Sequence, residues 1–133
     1  MHVLTRIISQ YDGPNLFLGV FRSEEKAYKA REEYLKNVAT YDPLASQTYR
    51  KADLGADIQI VEIEDHRDYH VDIDVGYLVI ANFEGMGQVS RRFLAFFSDR
   101  GSASEFAWKA EQGPYETAPN WCDVDEVMLD VPR

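Results

Sequence analysis

The densest set of side chains able to do chemistry lies between residues 62 and 74: Glu62, Glu64, Asp65, His66, Asp68, His70, Asp72 and Asp74. His66 and His70 stand four apart. On a helix that spacing puts two imidazoles on one face, where a transition metal can bind with help from carboxylates. The surrounding residues argue against a helix. Asp72, Ile73, Asp74 and Val75 alternate polar with apolar as a strand does. Neither an HExxH pattern nor a DxDxDG calcium loop is present in the sequence. The segment reads as a solvated acidic linker able to serve as a recognition edge, with no metal and no cofactor expected.

Other candidate groups have simpler readings. Cys122 is the sole cysteine, so it has no partner in the chain for a disulfide. It sits beside Asp123 and Asp125, whose charge raises a thiol pKa and opposes nucleophilic use. Asp12-Gly13 and Gly85-Met86-Gly87 are glycine turns, but neither opens a helix with a lysine as a phosphate loop does. They read as hairpin turns. No serine has a nucleophile-elbow context, and no catalytic residue is assigned.

The charge distribution is more telling. The formal net charge is −9. Residues 57–74 carry seven acids and one base, and residues 111–130 carry six acids and no base. Such a chain repels phosphate backbones and anionic membranes, and draws in basic proteins. Large amphipathic rings accompany the acids: Tyr41 and Tyr49 near Asp42, and Tyr115 and Trp121 near Glu116 and Asp123. Tyrosine and tryptophan are good interface anchors. The candidate partner-binding set is therefore Tyr41, Asp42, Tyr49, Glu64, Asp65, Asp68, Asp72, Tyr115, Glu116, Trp121 and Asp123.

The elements that must position these residues follow from periodicity. A length of 133 residues suits one domain and is enough to bury a core without disulfides. Strands are predicted over residues 2–10, 16–21, 57–64, 76–82, 88–97 and 124–129. The change of apolar phase between Ile60 and Val61 suggests a bulge. One helix is predicted after residue 23, with Ser23 as N-cap, Glu24 and Glu25 in its first turn, and Ala27, Ala30, Tyr34 and Val38 as its buried stripe, widened by Tyr28 and Leu35. A second begins at a capping box of Ser102 and Glu105, buries Ala103, Phe106, Ala107 and Ala110, and stops at Gly113-Pro114. Both faces of the strand ending at Phe97 are apolar, so it belongs in the middle of a sheet. Long loops are expected over 39–56 and 115–123, and a charged linker over 65–74.

Leu18-Gly19-Val20-Phe21 aligns with Leu94-Ala95-Phe96-Phe97 at a single offset. The fold expected is α+β: two degenerate ββαβ repeats, residues 1–64 and 75–133, joined by the acidic linker into one domain. Each repeat places its third strand beside its first, giving mostly antiparallel sheet with two helices packed on it. The halves share one core, as one six-stranded sheet or as two packed sheets. The N-terminus has no signal-peptide pattern, and a cytoplasmic location is expected.

Residues 19–27, GVFRSEEKA, carry a G-V-[FY]-x-S-x-E-x-A segment that closes a strand and opens a helix, after a hairpin and before an acidic strand. The first half thus resembles small acidic bacterial α+β modules similar to the immunity proteins that accompany polymorphic toxins. In the second half Ala95 stands in the glycine's place. The resemblance implies a binding role and transfers no functional residue. The expectation is a non-enzymatic acidic protein that inhibits a basic, toxin- or effector-like partner by covering its active surface, without binding nucleic acid or membrane. The alternatives are a small metal-dependent enzyme or sensor using His66 and His70, and a phage-encoded nucleic-acid mimic that blocks a defence enzyme.

Overall fold

The computed structural model describes residues 1–7, 14–41, 57–114 and 117–132, with the side chains of 38–41 excluded. The first half supplies β1 (His2–Arg6), β2 (Leu16–Phe21), α1 (Glu24–Tyr41) and β3 (Ile58–Glu62). Next comes the short β4 (Glu64–His66). The second half supplies β5 (Val75–Gly85), β6 (Gln88–Phe97), α2 (Arg100–Glu111) and β7 (Trp121–Met128). The strands form two sheets, ordered β2-β1-β3 and β4-β6-β5-β7. Each half places its third strand beside its first. Among the described strands all pairs are antiparallel except β4 with β6. The architecture is α+β.

The two sheets pack face to face. Val3 and Val20 of the first meet Leu78, Ile80, Phe93, Phe96 and Val127 of the second, with Met1, Ile63 and Leu129 completing the layer. On the outer face of the first sheet, Leu4, Leu18, Phe21 and Ile58 bury Ala27, Ala30 and Leu35 of α1. On the outer face of the second, Val79, Ala95 and Phe97 bury Ala103 and Ala107 of α2. Small alanines let each helix lie close to its sheet. Tyr28 of α1 is exposed instead of buried, because its position turns it away from the alanine stripe. Residues 93–97 of β6 are covered on both sides, as their two apolar faces require.

Both hairpins carry a bulge at corresponding places. Between Leu4 and Thr5 the β1–β2 register skips Leu18, and between Val79 and Ile80 the β5–β6 register skips Leu94. The extra residue is the first of each of the aligned segments found in the sequence. Gly19, just past the first bulge, has φ +155°, and a Cβ there would meet the Phe21 ring at 2.8 Å. The β1–β3 register is unbroken, so the phase change at Ile60–Val61 is not a bulge. Ile58 and Ile60 face α1 while Val61 and Ile63 face the opposite sheet: both sides of β3 are covered, and both can be apolar.

Helix starts differ from each other. Ser23 caps α1, its Oγ accepting from the Lys26 N–H at 3.3 Å. The N-cap of α2 is Asp99, three residues before the expected Ser102; its carboxylate accepts from the Ser102 N–H at 2.8 Å. Glu105 faces Lys109 at 3.1 Å one turn on, instead of reaching back to the cap. An ionised carboxylate is the better partner for a helix N-terminus, so Asp99 wins the position. No helix among the described residues is long and apolar enough to cross a membrane.

Candidate functional site

The segment expected as a free linker is anchored at both ends. It opens as β4, which pairs with β6 and joins the first half to the second sheet. Asp65 then folds back onto Arg67: the guanidinium donates to both carboxylate oxygens, at 2.8 Å to Oδ2 and 3.0 Å to Oδ1, and the Tyr69 hydroxyl donates to Oδ2 at 3.1 Å. Burial opposes the charge on Asp65, but these bonds prevail and hold its pKa at about 2. The Arg67 guanidinium also lies 5.4 Å from the centre of the Tyr69 ring. Asp65 is thus an internal staple, which removes it from the set of free partner charges.

Asp68 organises the following turn. Its backbone N–H donates to Ser98 Oγ at 2.8 Å, and its carboxylate accepts from the His70 N–H at 3.0 Å. The far end of the segment is held by Arg22, which follows β2. The Arg22 guanidinium donates to Asp130, to the Ile73 carbonyl and, at 3.3 Å, to Asp74; Asp72 lies 3.8 Å away. Its backbone N–H donates to Asp130 Oδ1 at 2.9 Å, and Lys26 reaches the same carboxylate at 3.1 Å. Burial pushes the Asp130 pKa up, and the donors from Arg22 and Lys26 outweigh it, so the net direction is down. The Asp130 N–H donates to the Val20 carbonyl and the Leu129 N–H to the Asp74 carbonyl. Arg22 therefore clasps both sheets together. The Asp72 side chain is fully exposed and that of Asp74 is 91% exposed.

His66 and His70 do not converge. The His66 ring stacks on Phe97 at 4.6 Å and touches Phe106 at 5.7 Å, with its Nε2 3.8 Å from Glu64. His70 sits in the turn beyond. Among the described residues no group of three or more His, Cys, Asp or Glu is placed to hold a metal ion.

The second acidic stretch lies on β7, which starts at Trp121 where a loop was expected. Trp121 is 37% exposed. Asp123 accepts from the Asn82 amide at 2.9 Å. Arg100 stacks over Tyr77 at 5.1 Å and lies 3.6 Å from Glu126. The Cys122 N–H donates to Glu111 at 2.9 Å. Burial, then the charges of Glu111 and Asp123, push the Cys122 thiol up to about 11, where the thiolate is scarce at neutral pH.

Parts of the two acidic stretches thus occupy opposite edges of the second sheet. Three strand spacings separate β4 from β7, or about 14 Å. Glu64, Asp65 and Asp68 lie at one edge and Trp121 and Asp123 at the other; Asp72 joins the clasp near the end of β7. Comparison of the chain with protein-family models, with curated proteins and with solved structures finds no match. Asp42, Tyr49, Tyr115, Glu116 and the Tyr41 side chain lie outside the described residues. The sequence reading missed Arg22 and Asp130. A lone base between a strand end and a helix cap was the available signal for Arg22; Asp130 is 108 residues away and had none.

Proposed function

We propose that the protein is an acidic binding protein, of the inhibitor or immunity type, that neutralises a basic protein by covering its active surface in the bacterial cytoplasm. The supporting observation is the placement of carboxylates on the second sheet. Both edges are acidic, and among the described residues bases meet only some of the acids there: Arg67 meets Asp65, Arg100 meets Glu126, and Arg22 gathers Asp72, Asp74 and Asp130. Among the described residues Asp68 and Asp125 face no base. Such a field speeds the approach of a positively charged surface and fixes its orientation.

The test is affinity capture from the source organism's lysate, eluted with rising salt. The expected result is one near-stoichiometric basic protein that leaves at high salt. With that partner in hand, Asp68→Lys with Asp72→Lys should slow association about tenfold at low salt and flatten its salt dependence. Asp65 is left out of the charge reversal, because its carboxylate supports the turn. Capture of nothing, even at low salt, would discard the reading.

A further inference from the structure

We infer that β7 is a strand-addition site: an extended segment of the partner, bearing lysine or arginine at alternate positions, pairs with its open edge. This rests on the binding role proposed above and adds where and how the partner docks. Among the described residues the two sheets have four edge strands. β4 is three residues long. β2 is bulged at Leu18, and its Val20 carbonyl is taken by Asp130. On β3, Arg31 donates into the Ile58 carbonyl. β7 is eight residues long, and its register with β5 has no break. It is the longest regular edge among the described residues.

The phase of that edge is fixed. Leu129 donates to Asp74 across the β5–β7 ladder. Antiparallel alternation then turns the backbone N–H and C=O of Cys122, Val124, Glu126 and Met128 outward. Glu111 takes the Cys122 N–H, consistent with that phase. Val124, Glu126 and Met128 remain to pair with an incoming strand.

Charge selects the occupant. Asp123 and Asp125 project from one face of β7 and Glu126 from the other. A second copy adding to this edge would set Asp and Glu beside Asp and Glu, which is unfavourable at cross-strand distances. A strand with basic side chains opposite Asp123 and Asp125 gains at the same positions. Exposed Trp121 at one end and Met128 at the other offer apolar cover.

The probe is a synthetic eight-residue peptide alternating lysine and valine, with a glutamate-for-lysine peptide as control, added to the intact protein and followed by amide hydrogen exchange. The expected result is at least about tenfold slower exchange at Val124, Glu126 and Met128 with the lysine peptide only. Glu126→Pro removes one outward N–H while leaving the β5 ladder intact, and should weaken the peptide about tenfold. The exchange measurement needs no variant, so it decides the matter even if the proline variant folds poorly. Unchanged exchange along β7, whether the peptide binds at the Asp68–Asp72 edge or nowhere, overturns strand addition. The proposed function would survive that result if lysate capture still returned a basic protein, and would fall only if capture also failed.

Discussion

The two junctions between strand and helix occupy equivalent places after a bulged strand, yet they are built from different chemistry. After β2 comes Arg22 and then Ser23; after β6 come Ser98 and then Asp99. In both, the second residue caps the helix. In both, the first residue holds one end of residues 65–74: Ser98 accepts from the Asp68 N–H, and Arg22 donates to the Ile73 carbonyl. Ser98 makes a neutral bond at the surface. Arg22 gathers Asp130, Asp74 and Asp72 around one guanidinium. One frame thus carries an ionic clasp in one half and a plain hydrogen bond in the other, and the clasp is the place where the chain end, the linker and the first sheet meet. Variants and conditions that act on one junction and spare the other separate these roles.

The largest effect is expected from Asp130→Ala. It removes the carboxylate that Arg22 and Lys26 share, and it puts alanine at φ 60°, a conformation aspartate tolerates better. A loss of about 3 kcal/mol in urea unfolding is expected. The variant should also lose most of the salt sensitivity of the parent's stability. A loss near zero would mean that the clasp is ornamental and that the shared apolar layer alone joins the sheets. Next comes the bulge that delivers Arg22. Gly19→Ala forces a Cβ to within 2.8 Å of the Phe21 ring at φ +155°, and should cost about 2 kcal/mol by thermal unfolding. The second half already has Ala95 at the matching position, so Ala95→Gly should cost about 1 kcal/mol or less.

Acid should distinguish the charged anchors from the neutral one. The folded pKa values of Asp65 and Asp130 lie below the unfolded ones. Their stabilisation is therefore complete above the ordinary carboxylate value and is lost as pH falls through the folded value. For Asp65 the window runs from 3.8 down to about 2. After allowance for solvent screening at this partly open site, about 1 kcal/mol is at stake. Asp65→Asn should remove that part of the slope of stability against pH. An identical slope in the variant would assign the acid sensitivity to other carboxylates.

Much of this frame was legible in the sequence. Period-two and helical apolar patterns located most strands and both helices among the described residues. The failures have a common cause. Tyr28 lies off the buried stripe, the Ile60–Val61 phase change is not a bulge, and the linker of residues 65–74 is anchored as well as solvated, because each depends on what lies across from it in space. The sandwich covers both faces of β3, so its pattern need not alternate. The staple of Asp65 by Arg67 is local and could have been suspected from the two-residue spacing. The meeting of Arg22 with Asp130 could not, because it depends on how the two sheets dock. The candidate site suffered most: its acids were visible as a composition, but their division between two sheet edges exists only in three dimensions.

The smallest effect expected is at Ser98, and it is the sharpest control on the comparison. Ser98→Ala removes the hydroxyl that accepts from the Asp68 N–H at 2.8 Å. The donor sits at the surface and can turn to water, so the loss should be about 0.5 kcal/mol. No ion takes part, so the loss should be the same at low and high salt and on either side of the acid window. Amide exchange should rise at Asp68 and Val71, whose turn loses its anchor, while Leu129 and Asp130 at the clasp keep their protection. If Ser98→Ala instead loosens the Leu129 and Asp130 amides, the two ends of residues 65–74 open as one unit, and the neutral junction and the ionic clasp are halves of a single device.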